Sequence, residues 1–166
     1  AAHQPCRCPS ERCEAIFTQG RAEFRQHHAG VEIHTEISVS PEDDVELRRV
    51  TLINHSHDHR VIELTTYAEL VLAAPAADAS HPAFSNLFVR AEWQAAQQAL
   101  LFERTPRLAT ERGLQAAHFL ADTDPQVVSV RVQTDRQRWL GRNRDTHQPL
   151  ASFDDLPEAG ADATLA

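Results

Sequence analysis

The stretch Val31-Glu32-Ile33-His34-Thr35-Glu36-Ile37-Ser38-Val39 alternates so regularly that it leaves little choice of conformation. In an extended chain Val31, Ile33, Ile37 and Val39 share one face, while Glu32, His34, Glu36 and Ser38 share the other. The turn formers Ser40-Pro41-Glu42-Asp43-Asp44 follow, and Val45 to Ile53 then resumes a strand. The phase of that second strand slips at Arg48-Arg49, which predicts a bulge. The two strands predict a hairpin. A further break at Asn54-His55-Ser56-His57-Asp58-His59 leads into Val61 to Leu72, where Ile62, Leu64, Ala68, Leu70 and Leu72 alternate against Glu63, Thr65, Tyr67 and Glu69. Three such strands in sequence predict an antiparallel meander.

Strands are also expected at Phe24 and its neighbours upstream, and at Leu87 to Trp93, Ala99 to Arg104, Leu114 to Ala121 and Val127 to Thr134. About eight strands at this spacing point to an all-β, antiparallel sandwich. Two stretches compete with that pattern. Ala73 to Ser80 is helical by propensity, but Pro75 and His81-Pro82 favour a long loop or one short turn. Trp93 to Leu101 also has helical composition, and two strands joined by a turn are the preferred reading.

A chain of 166 residues has the size of one domain, with 42% hydrophobic and 24% charged residues. The expected division is a Cys-containing leader at 1–14, a sandwich at 15–153 and a tail or linker at 154–166. Ala1 to Ser10 carries neither a basic start with an apolar block nor a small-residue cleavage site, so no secretion signal is expected. The formal charge of −8 argues against nucleic acid, which needs a positive surface. All 16 basic residues are Arg, which leaves guanidinium forks as the permanently cationic recognition groups. Neutral, hydroxyl-rich ligands suit such a surface. Cys6, Cys8 and Cys13 form no disulfide framework and fit a reducing compartment.

Few constellations here can carry chemistry. His3, Cys6, Cys8 and Cys13 are zinc-type ligands at irregular spacing. His55, His57 and His59 would point the same way in an extended segment and are the better metal candidates, set against a solvated turn built on Asn54, Ser56 and Asp58. No metal and no cofactor is assigned. The acid runs Glu42-Asp43-Asp44 and Asp154-Asp155 cannot face each other across a scissile bond, as general acid and base must. Neither a nucleophile elbow nor a phosphate-cradling loop is present, so nucleotide chemistry is not expected. Thr134 to Arg144 carries Trp139 between Arg forks and Asp135, which suits either sugar stacking or a packing plug under a loop turned by Gly141.

Several of these stretches resemble one family. Glu36-Ile37-Ser38-Val39-Ser40-Pro41-Glu42-Asp43-Asp44-Val45-Glu46, Tyr67 to Ala73, Ala76 to Ser85 (with His81-Pro82-Ala83-Phe84) and Thr134-Asp135-Arg136 with Gly141-Arg142 resemble the N-terminal β-sandwich of glycoside hydrolase family 94, formerly glycosyltransferase family 36. The phosphorylase-like portions of cyclic β-1,2-glucan synthases are nearest in appearance. The resemblance implies a galactose-mutarotase-like super-sandwich, incomplete at this length, serving as a non-catalytic accessory of a β-glucan synthase or phosphorylase. It implies as partners a β-glucan oligo- or polysaccharide, a catalytic (α/α)6 barrel and, through open sheet edges, a second copy in a homodimer. The setting it implies is the cytoplasm, including the soluble part of an inner-membrane enzyme. By position, His81, Phe84, Asn86, Arg136, Trp139 and Arg142 are its carbohydrate-binding or barrel-facing residues. Two other readings remain open: an independent carbohydrate-binding module stacking sugar on Trp139, Trp93 or Tyr67, and a mutarotase-like enzyme using His34 or His118 with a carboxylate.

Overall fold

A computed structural model describes residues 12–80, 87–106, 111–121, 125, 127, 129–146 and 149. The chain divides into two units, Ala1–Glu63 and Leu64–Ala166.

The first unit is a four-stranded antiparallel meander in the order β1 (Arg12–Thr18), β2 (Arg21–His28), β3 (Val31–Val39) and β4 (Glu46–Asn54). Residues directly opposite one another share a face. The row Ala15, Phe24, Thr35 and Val50 therefore belongs to one side, and the adjacent row Ile16, Glu23, Glu36 and Arg49 to the other. Phe17 packs edge-on against Phe24 on the apolar side, with ring centroids 5.7 Å apart, and Val31 and Thr35 are buried there. The alternation read from Val31 to Val39 is thus the plan of the whole sheet. The β3–β4 hairpin also forms as expected. Its turn is held by Ser40, whose hydroxyl accepts from the backbone N–H groups of Glu42 and Asp43.

Two expectations for this unit fail. The bulge at Arg48-Arg49 is absent, since β3 and β4 pair without interruption from Val31 opposite Asn54 to Val39 opposite Glu46. β4 is exposed along almost its whole length, so apolar residues can stand on both of its faces without a kink to re-aim them. The third strand at Val61 to Leu72 is also absent. The Asn54 side chain folds the following loop by donating to the carbonyl of Asp58 (2.8 Å) and accepting from the N–H of Ser56 (3.0 Å). His55 N–H donates to the carbonyl of Gly30, and Arg60 donates to that of Ala29 at 2.6 Å. These bonds draw the chain across the end of β3 towards the β2–β3 turn, away from the free edge of β4. Without a ladder beside it the segment keeps its alternation but not its strand, and Val61, Ile62 and Leu64 stand exposed.

β1 begins inside the expected leader at 1–14, since Arg12, Cys13 and Glu14 belong to it, and runs on into the expected sandwich. The leader through residue 11, with His3, Cys6 and Cys8, and the tail at 154–166 lie outside the described residues.

The second unit holds a three-stranded antiparallel sheet of β5 (Val89–Gln94), β6 (Ala99–Arg104) and β7 (Gln115–Phe119), with two short helices, α1 (Pro75–Ser80) and α2 (Arg136–Leu140). The hairpin wins over helical propensity at Trp93 to Leu101, with Gln98 in the left-handed region (φ 51°) closing the turn. Pro75 opens α1, where a missing N–H is harmless, so a helix of six residues stands where a long loop or one short turn is expected. Among the described residues of Val127 to Thr134 there is one isolated bridge, at Arg131, and no strand. Buried Ala91, Ala99, Val132, Trp139 and Leu140 supply the core. The expected all-β class is what the described residues show.

Candidate functional site

The second unit brings together four side chains from two distant segments. Asp135 caps α2, its carboxylate accepting from the N–H groups of Gln137 (2.8 Å) and Arg138 (3.1 Å). Gly141, at φ 77°, ends the helix, and its N–H donates to the carbonyl of Gln137. This short, doubly fixed helix aims Trp139 and Leu140 inward, where Tyr67 packs on them. The Tyr67 and Trp139 rings stack with centroids 6.5 Å apart and planes 20° from parallel.

At the edge of that stack Arg136 donates from Nε to Oε1 of Glu69 at 2.7 Å, and the Tyr67 hydroxyl donates to the same oxygen. The hydrogen bond from Tyr67, and then that from Arg136, hold the Glu69 carboxyl below the usual carboxylate range. Burial, followed by the hydrogen bond to Glu69, raises the Tyr67 phenol. Glu69 raises the Arg136 guanidinium further. The cluster is therefore an ionised, charge-balanced pair fixed to an aromatic stack.

The polar side of the first unit's sheet is an ion-pair lattice. Glu23 meets Arg21 at 3.0 Å, His34 at 3.1 Å and Arg25 at 3.6 Å, and Glu36 meets Arg21 and, at 4.0 Å, Arg49. Glu32 meets His55 at 3.0 Å, and the His55 ring lies against that of His27. The hydrogen bond from His34 lowers the Glu23 carboxyl, and that from His55 lowers Glu32. The imidazoles of His55, His57 and His59 do not converge: among the described residues no three His, Cys, Asp or Glu side chains gather to hold a metal. Cys13 is a free, exposed thiol on β1.

Of the residues proposed from sequence, the structure unites Arg136 and Trp139 within α2 and places Arg142 just beyond it, exposed. His81, Phe84 and Asn86 lie outside the described residues. Trp139 is only 9% exposed, so its ring is a core element whose stacking partner is Tyr67. Trp93 is on β5, with its indole nitrogen buried and unpartnered among the described residues. His34 faces Glu23, and His118 lies 3.5 Å from the Thr66 hydroxyl. The alternation from Val61 to Leu72 places Glu69 on the outward face of a strand and does not mark it as a site residue; the signal for it is the Tyr67-Ala68-Glu69 spacing inside the family-like segment.

The description of the glycosyl hydrolase 94 supersandwich domain matches residues 1–162. The chain belongs to that family. The supersandwich is also similar to the cyclic beta-(1,2)-glucan synthase NdvB of Rhizobium meliloti (strain 1021), at 36% identity over 154 residues. That match takes in 93% of this chain but only 5% of the relative. Among the described residues of the supersandwich, no helix is long and apolar enough to cross a membrane.

Proposed function

We propose that this supersandwich is a non-catalytic, carbohydrate-binding accessory of a β-glucan synthase or phosphorylase, packing on a helical catalytic barrel that other residues of such an enzyme would supply. The similarity to a cyclic β-1,2-glucan synthase supports the substrate class. The hydrogen-bonded pairing of three carboxylates supports the non-catalytic part. Glycosidic bond cleavage needs at least one carboxyl kept protonated, with its pKa pushed up, to protonate the leaving oxygen. Here Glu23, Glu32 and Glu69 are all held below the usual range, each by a hydrogen bond from His or Tyr. They are suited to holding structure and unsuited to donating a proton.

The test is to incubate the chain alone with β-1,2-glucooligosaccharides and phosphate and, separately, with a pure glucose anomer. No phosphorolysis, no transglycosylation and only spontaneous anomer interconversion are expected. Turnover by the chain, lost in His34→Ala or Glu23→Gln, would overturn the reading in favour of a sandwich enzyme.

A further inference from the structure

Building on the carbohydrate-accessory reading, we propose that Tyr67, Glu69 and Arg136 form a subsite for the vicinal diol of a neutral glucose residue in a β-glucan. Arg136 Nε and the Tyr67 hydroxyl converge on one oxygen, Oε1, of Glu69. The second carboxylate oxygen is left to accept, and it sits on a side chain that is 43% exposed. Arg136 commits its Nε–H to Glu69 while its side chain remains 62% exposed, which leaves terminal N–H donors within reach of a ligand. A fixed acceptor beside fixed donors is what two adjacent hydroxyls require, because each must both give and receive a hydrogen bond.

The charge balance selects for neutral ligands. Glu69 cancels the positive charge of Arg136, so an anion gains little from the guanidinium and is opposed by the carboxylate beside it. The aromatic component is Tyr67. Trp139 is buried and backs the Tyr67 ring, setting the plane of a half-buried ring whose remaining surface can take the C–H face of a pyranose. The groups are ordered before any ligand arrives: Arg136 is the first residue of a helix capped by Asp135, and Tyr67 is held by the stack. Little side-chain entropy remains to be lost on binding.

The experiment is calorimetric and NMR titration of the 166-residue chain with β-1,2-linked glucooligosaccharides, with inorganic phosphate in a separate arm. Glucan binding is expected to move the indole N–H resonance of Trp139. Glu69→Gln and Arg136→Ala should each weaken binding about tenfold or more, since each removes a hydrogen bond involving a charged group. Glu32→Gln, in the other unit, should leave affinity unchanged. Thermal melts of the variants report folding, and Glu69→Gln, nearly isosteric and partly exposed, carries the test if Arg136→Ala does not fold. No glucan binding by the unaltered chain, binding by both variants as tight as by the unaltered chain, or phosphate binding lost in Arg136→Ala would each overturn the subsite. Glucan binding indifferent to both variants would leave the accessory reading standing, whereas turnover by the chain would sink that reading and leave the subsite intact.

Discussion

Ala29 adopts φ 50° beside Gly30 at φ 78°, a two-residue turn with both residues in the left-handed region. A Cβ there costs about 1 kcal/mol, and Asn tolerates the conformation better than Ala. Ala29→Asn should therefore raise stability by about 0.5–1 kcal/mol in chemical denaturation, with Arg60 still able to donate to the carbonyl. Thr35 offers a second gain. Its side chain is 3% exposed on the apolar side of the sheet, and its hydroxyl has no partner among the described residues. Thr35→Val keeps the branched shape and removes the unpaired hydroxyl, so about 1 kcal/mol of added stability is expected. Tyr67 gives a spectroscopic test, because it is the sole tyrosine. Burial and Glu69 raise its pKa, so tyrosinate absorbance should develop above the ordinary phenol value of 10.0, and Glu69→Gln should bring the midpoint down.

Among the elements, α2 is the most exposed to a single change. It has five residues, too few to be stable by its own hydrogen bonding, and it depends on the Asp135 cap and on burial of Trp139 and Leu140. Asp135→Ala should cost about 1 kcal/mol and diminish the near-ultraviolet dichroism of the Tyr67–Trp139 stack. A larger loss of glucan affinity than of stability would mark the helix as the support of Arg136. The β3–β4 hairpin behaves differently, since its register is held by nine consecutive pairs and its turn by the Ser40 hydroxyl together with backbone bonds from Ser40 to Val45 and from Val45 to Asp43.

For the molecule as a whole, the depressed carboxyls contribute to the acid limit. A group whose folded pKa lies below its unfolded value stabilises the fold above that unfolded value, here about 4.5, and loses the contribution as pH falls through the folded pKa. Thermal midpoints should therefore hold steady above about 4.5 and fall below it, with Glu23→Gln and Glu69→Gln each flattening part of that limb. Added salt should shrink the contribution of the exposed Arg pairs. The residues by themselves determined which side chains share a face along Val31 to Val39, where the β3–β4 and β5–β6 hairpins turn, and the all-β class, because a period of two is a local property of an extended chain. Resemblance supplied the family. The tertiary structure alone decided that Val61 to Leu72 finds no ladder, that β4 runs without a bulge, and that Trp139 is buried behind Tyr67. It alone joined Glu69 to Arg136, 67 residues along the chain. Alternation states which way side chains point, but a pairing partner, a depth of burial and a long-range ion pair depend on where the chain returns in space.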